Sequence, residues 1–267
     1  MNLALFGHVW RANRVRLLIV AIALTAWGSL LPIIYAAFGE QFEAMMDSGL
    51  IPEEFTNFGG GDVFSLAGSV ALGFIHPIAV GLILVFALGF AANSIAGERQ
   101  RGTLEVLLAR PISRRRVYLT NAVAAALFVA VTVAALSLGA FLGSAATGNL
   151  DQLGVAQLPF VWVNGLLLFG SFAAIALAAS VTFDRLAPAI GISLAVVLVS
   201  YFLDVIGDLW PDAKGLQPFS LFHYFDARSA LLGDPIWSDL AVLGAVVVVA
   251  VAYALVVFPR RDLAAPT

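Results

Sequence analysis

Six long stretches of this 267-residue chain are apolar and almost free of formal charge. A helix needs about 20 apolar residues to cross the hydrocarbon core of a bilayer, and each stretch satisfies that length. The strands of a membrane barrel alternate apolar and polar residues, whereas these stretches do not. The pattern predicts an all-α polytopic membrane protein, one transmembrane domain over residues 1–267. The six predicted spans are Leu17–Phe38, about Ser65–Ala96, Ala122–Ala146, Pro159–Phe183, Leu186–Ile206 and Leu240–Phe258.

Composition excludes the other broad classes. Only 12% of the residues are charged and 61% are hydrophobic, whereas a soluble domain carries about 25% charged residues. The chain has no cysteine, which excludes a disulfide scaffold. Its three histidines, His8, His76 and His223, fall on different sides or depths of the predicted bundle, so we expect no metal site. We expect no nucleic-acid partner.

The basic residues predict how the spans are oriented, because cytoplasmic loops are enriched in Lys and Arg. Twelve of the 14 lie in the N-terminal segment, the loop after span two, the turn after span four and the C-terminal tail, all on one side. The other side holds only Lys214 and Arg228, and its first loop, Gly39–Phe64, has six acids and no base. We therefore expect a multi-pass protein of the cell (plasma) membrane with both termini in the cytoplasm.

Two segments outside the spans are predicted to contact the membrane surface. Apolar residues at helical spacing indicate an amphipathic interfacial helix over residues 1–16, lying on inner-leaflet lipids. A basic N-terminus without that structure explains the same residues equally well. Residues 207–239 mix aromatic and polar groups, which favours short helices at the outer interface. The recurring apolar residues of the N-terminal segment are Leu3, Phe6, Trp10 and Leu17.

The loop after span two contains a short predicted helix. Gly102 should end the extension of span two, and Thr103 can cap the next helix by accepting backbone N–H bonds. Leu104, Leu107 and Leu108 then share one face at i, i+3 and i+4. The helix is expected over Thr103–Arg110.

Pro111 should end this helix, because the residue before proline resists the helical conformation. Ser113 can cap the following helix, which begins with Arg114–Arg116. Three arginines in a first turn oppose the helix dipole, so membrane topology, lipid headgroups or an acidic protein partner must account for them. Two interpretations fit these residues equally well. The segment is either a helix that docks on another protein or an ordinary basic loop.

The same segment resembles the signature of the permeases of type-2 ABC exporters, E-x-x-x-G-T-L-E-x-L-L-x-x-P-[IV]-S-R between spans two and three. The six spans, the N-terminal helix and the outer segment extend the resemblance over most of the chain. The signature matches without a gap at Glu98, Gly102, Thr103, Leu104, Glu105, Leu107, Leu108, Pro111, Ile112, Ser113 and Arg114.

The resemblance implies that residues 98–116 form a cytoplasmic coupling segment, with Glu98 and the helix ending at Arg110 contacting a separate ABC ATPase. It also implies two ATPase copies, a second permease chain (identical or related) and outward transport. ATP and Mg would bind the ATPase, with no cofactor on this chain. The sequence has no G-x-x-x-x-G-K-[ST] phosphate loop, so we expect this chain not to be an enzyme itself.

Four polar residues within the spans are candidates for a translocation path, since polar groups in a membrane are functional hypotheses by default. Hydrogen bonding inside the bundle, or solvation in the case of the residue near the end of span five, explains them as well. Pro77 should kink span two and free a carbonyl. The four candidates are His76, Asn93, Asn164 and Asp204.

Two other functions remain open. An ion-coupled secondary transporter usually needs several charges within the membrane and often an inverted repeat, whereas this chain offers one peripheral carboxylate, Asp204, and no visible repeat. The other is a membrane scaffold that transports nothing.

Overall fold

The computed structural model describes residues 1–48, 65–234 and 236–262, and within them the chain is helical with no strand. A π-helical turn, Asn93–Gly97, lies between Ala92 and Glu98, and four short 3₁₀ segments lie at Leu150–Gln152, Val155–Gln157, Pro211–Phe219 and Phe222–Tyr224. The α-helices are α1 (Leu3–Asp47), α2 (Leu66–Ile75), α3 (Pro77–Ala92), α4 (Glu98–Gln100), α5 (Thr103–Leu108), α6 (Arg114–Thr147), α7 (Leu158–Thr182), α8 (Leu186–Leu209), α9 (Ala227–Leu231) and α10 (Trp237–Arg260).

Six helical stretches in the described residues are long and apolar enough to cross a membrane, which confirms the predicted count and fold class. Span two is composite, since it runs from Leu66 to Gln100 through α2, α3, the π-helical turn and α4. The expected acidic loop is partly helical, because α1 reaches Asp47. Residues 49–64, with the glycines and most of that loop, lie outside the described residues.

The two ends of the bundle differ in charge. We call the end that holds α4, α5 and the turn between α7 and α8 the basic end, because Arg99, Arg114, Arg185 and Arg261 lie there. The opposite end holds residues 148–157 and 210–234.

The segment over residues 1–16 is helical as predicted, but it is not a separate element. No residue that breaks a helix stands between it and span one, so α1 is one helix of 45 residues, about 68 Å long at 1.5 Å per residue. The ring of Trp10 stacks on Phe128 at 6.0 Å, and Leu17 is buried beside it. Leu3 is 73% exposed, so only part of the predicted apolar stripe packs within this chain.

Span one is held against span three by backbone contact. A Cβ added at Gly28 would overlap the carbonyl oxygen of Leu136, and one at Gly139 would overlap that of Thr25. Gly143, four residues beyond Gly139, meets the backbone of Ser29 in the same way. Small residues four apart let two membrane helices approach closely, where dispersion and packing hold them.

Span two is interrupted rather than merely kinked. His76 has an extended backbone (φ −60°, ψ 139°) between α2 and α3, and Pro77 starts α3. Pro77 has no N–H to offer the Gly73 carbonyl four residues back, and the Trp27 indole donates to that carbonyl instead at 3.0 Å. The predicted free carbonyl therefore exists, and span one satisfies it.

The segment after span five contains the expected short helices, and part of it returns into the bundle. The Ser220 hydroxyl donates to the Ser200 carbonyl at 2.7 Å, and the Leu221 N–H donates to the Ser200 hydroxyl at 2.6 Å. Ser200 lies nine residues before the end of α8, about 13 Å along the helix axis. Phe222 then packs on Phe172 at 5.3 Å, so this chain segment fills the interior near the opposite end.

We expect Gly139→Ala to destabilise the protein by about 1–3 kcal/mol, the usual cost of overpacking a tight contact, because the added methyl meets the Thr25 carbonyl oxygen. Thermal unfolding of the detergent-solubilised protein measures this. Gly170→Ala is the matched control, since its Cβ meets nothing within 4 Å. Equal melting temperatures for the two variants would refute the backbone contact.

Candidate functional site

Helix α5 is attached to the bundle by the leucine face that the sequence predicts. Leu104 is completely buried, and Leu107 and Leu108 are partly buried against the same core. Gly102 precedes the helix with φ +72°, a conformation that glycine adopts without a steric penalty. The extension of span two therefore ends before Gly102, as predicted, and the leucines fix how α5 sits on the spans.

The start of α5 is held by side-chain bonds rather than by the predicted cap. Gly102 is the N-cap residue, with no capping side-chain bond, so the capping role expected of Thr103 was wrong. The Thr103 hydroxyl instead contacts the Glu98 carboxylate and its carbonyl oxygen. Arg101 donates to Glu98 at 2.7 Å and to the Asn93 amide oxygen at 3.2 Å. Glu98 thus joins the end of span two to the first turn of α5.

The surface of α5 that faces away from the bundle is small and partly apolar. Glu105 and Val106 are exposed, and so are Arg110 and Pro111 just after the helix. Val106 is 67% exposed, although the next residue in the sequence, Leu107, is partly buried against the core. Val106 was not predicted as a functional residue, because it lies off the leucine stripe that the periodicity selects.

The helix ends at Leu108, two residues before the predicted end. Ser113 caps α6 as expected, since its hydroxyl accepts from the Arg116 N–H at 3.4 Å. Arg114 points back into the protein, where its guanidinium donates to the carbonyl of Arg261 at 2.6 Å and to that of Phe258 at 3.3 Å. One of the three arginines at the start of α6 thus binds the end of span six.

Two arginines form ion pairs with one aspartate at the turn between spans four and five. The Asp184 carboxylate pairs with both Arg99 and Arg261, and Arg261 also donates to the Val181 carbonyl at 2.6 Å. The N–H of Leu186 donates to the Gln100 side chain at 2.9 Å. We call Arg99, Arg114, Asp184 and Arg261 the basic-end cluster. It connects spans two, three, four, five and six. No local sequence pattern predicts it, because its members are far apart in the chain.

The π-helical turn just before Glu98 is bound to span four. The Ser180 hydroxyl accepts from the N–H groups of Ile95 and Ala96 at 3.2 and 2.9 Å and donates to the Ala92 carbonyl at 2.9 Å. These bonds satisfy backbone groups that the irregular turn leaves unpaired in the α pattern. A π-turn is common at functional positions of helices.

The four candidate path residues do not form one site. His76 stacks beside Trp27 at 4.7 Å, Asn93 is bound to Arg101, and Asp204 lies near the opposite end beside Gln217. Asn164 is only 4% exposed, and its amide oxygen finds no hydrogen-bond partner in the described part of the chain. No hydrogen bond joins any two of the four within those residues.

An open groove borders Glu98, Arg101 and α5. It has a volume of about 1190 Å³ and lies between the first half of α1 and the part of span two from Pro77 to Glu98, with Arg101 just beyond that span. Leu107 of α5 and Asn121 of α6 also line it. Of the four path candidates, only Asn93 reaches this groove.

Comparison with known families identifies the chain at the family level. No curated protein matches it. A sequence model described as "ABC-2 family transporter protein" matches residues 11–263. That match includes residues 98–116, the basic-end cluster, the last five spans and span one from residue 11 onward. The chain therefore belongs to the ABC-2 family of transporter proteins, as a membrane permease component of an ABC transporter.

Proposed function

We propose that this chain is the membrane subunit of an ABC exporter, and that α5 receives the motion of a separate cytoplasmic ATPase. The observation that carries this is the geometry of α5, whose leucines anchor it to the spans while Val106 remains exposed. In this proposal the basic end faces the cytoplasm, with both chain termini, in accord with the positive-inside rule. The outward direction rests on the resemblance of the coupling signature.

The exposed surface of α5 is the proposed contact with the ATPase. Val106 supplies an apolar side chain for a pocket on the partner, and Glu105 and Arg110 supply charges at its edge. A buried apolar anchor with a polar rim is the usual anatomy of a protein interface. ATP and Mg bind the partner in this arrangement, and two ATPase copies serve two permease chains.

The basic-end cluster would transmit the movement of α5 beyond its own two spans. Glu98 and Thr103 tie α5 to span two, and Ser113 begins span three directly after it. Arg99 and Arg114 then reach the turn after span four and the end of span six. Movement of α5 therefore displaces several spans together.

A second permease chain completes the proposed path. Large side chains fill the interior of the single bundle, where Phe74, Phe169 and Phe172 are buried. Spans five and six, by contrast, bury little of their apolar windows within this chain. We therefore propose that the path lies between two copies, or between this chain and a related one.

Val106→Asp should abolish ATPase docking, because it places a carboxylate in the proposed apolar contact. When the permease is co-expressed with the ABC ATPase of a neighbouring gene, we expect the co-purified ATPase to fall at least about tenfold, the effect of roughly 1.4 kcal/mol. Val155→Asp, at the opposite end and also on an exposed valine, should leave co-purification unchanged. If the folded Val106→Asp protein co-purified as much ATPase as the unmodified protein does, α5 would not be the docking site.

Asp184→Asn should loosen the C-terminal tail, because Arg99 and Arg261 lose their shared counter-charge. Ion pairs exposed to this degree contribute about 0.2–1 kcal/mol, so we expect about a twofold to threefold faster thiol labelling of a cysteine placed at position 262. Asp151→Asn, an exposed acid at the opposite end, is the control. An unchanged labelling rate would show that Asp184 does not hold the tail.

Cysteine labelling tests the orientation directly, since the chain has no cysteine of its own. On intact cells, a membrane-impermeant maleimide should label Val155→Cys and leave Val106→Cys unlabelled until the membrane is permeabilised. Both side chains are exposed in the structure, so access alone decides the result. The reverse pattern would place α5 outside the cell and refute the proposed coupling.

A further inference from the structure

The wall of the groove contains two glycines that no packing contact requires. A Cβ added at Gly81 or Gly89 would meet nothing within 4 Å, unlike one at Gly139, which would overlap backbone. Glycine weakens a helix relative to alanine, and here no neighbouring helix gains a close approach in return. The two glycines instead leave room along the span-two wall.

The groove also carries a cation without an internal partner. Arg16 lines it from α1, and within the part of the chain that the structure describes its guanidinium forms no ion pair or hydrogen bond. The other arginine of the groove, Arg101, is paired with Glu98. The groove therefore presents one unneutralised guanidinium, a group that binds phosphate through two parallel hydrogen bonds.

The remainder of the span-two wall is apolar. From Ile78 to Phe90 the lining side chains are aliphatic or aromatic apart from the two glycines. These 12 residue steps cover about 18 Å at 1.5 Å per residue, close to the ~15 Å thickness of one leaflet's hydrocarbon. Polar lining begins beyond this wall at Asn93 and Ser94, towards the basic end.

We propose that the groove binds an anionic membrane amphiphile, with a phosphate-bearing headgroup at Arg16 and an acyl chain along the wall from Ile78 to Phe90. This assigns a substrate class to the proposed exporter and rests on that proposed function. Leu107 of α5 also lines the groove, so a bound amphiphile touches the helix that the ATPase would move. Cargo and coupling segment are then in direct contact.

The test is binding of a fluorescent phosphatidylglycerol to the purified full-length permease in a neutral detergent. We expect Arg16→Gln to raise the Kd about tenfold, because the charge-assisted bonds to phosphate are lost. Arg14→Gln removes the same charge from the same helix at a residue that does not line the groove, and it should change the Kd less than twofold. Equal effects of the two variants would overturn the proposal, since they would indicate general attraction to basic residues.

A second pair of variants tests the apolar wall without changing charge. Gly89→Leu should fill the groove and raise the Kd at least about tenfold, whereas Gly170→Leu, also in open space but outside the groove, should have no effect. Dodecyl phosphate should displace the probe, and inorganic phosphate at the same concentration should not. Unchanged binding to Gly89→Leu, or displacement by inorganic phosphate alone, would overturn the proposal.

The assay separates this inference from the proposed coupling function. It uses no ATPase, so its outcome does not depend on docking at Val106. If ATPase docking fails while the lipid affinities follow the expected pattern, the groove stands and the coupling does not. If docking succeeds and phosphatidylglycerol does not bind through Arg16, the exporter function stands and the assigned substrate class does not.

Discussion

The structure depends on one constraint, that backbone N–H and C=O groups within a membrane must find partners in the protein. Span two is interrupted at two irregular points, and the segment after span five returns into the bundle at a third. The backbone groups at each point are satisfied from a neighbouring element. Trp27 of span one binds the carbonyl freed by Pro77, and Ser180 of span four binds the π-helical turn. Ser200 of span five and Ser220 bind each other where the segment after span five enters the bundle. Each departure from regular helix therefore also fixes the position of one span against another.

These bonds and the basic-end cluster divide the molecule into parts with different roles. At the basic end, arginines and one aspartate join five spans around α5. Near the opposite end, aromatic side chains of the returning segment fill the interior. Between them, α1 stands away from span two along the open groove. A basic end joined by ion pairs and hydrogen bonds and an opposite end filled by aromatic side chains thus border a region with space for a ligand.

Much of this organisation was predictable from the sequence, and the reasons are physical. Length and hydropathy identified the six spans, since a span is a local property of about 20 residues. Periodicity identified the leucine face of α5, and Pro77 identified the break in span two. The partners of these features were not predictable, because Trp27, Ser180 and Asp184 are distant in sequence from the groups they bind. Val106 and the groove glycines, Gly81 and Gly89, were not predicted for a related reason. They matter because no other side chain of the described residues packs on them, and a local sequence pattern does not show which residues stay unpacked.

The contact between spans one and three restricts how the protein can change. Where two side chains clash, a smaller residue on the facing helix can restore the fit. At Gly139 the facing atom is the carbonyl oxygen of Thr25, which every amino acid at that position carries. No second-site replacement at residue 25 can therefore suppress a larger residue at 139, and a genetic screen for suppressors should recover changes that shift a whole helix instead.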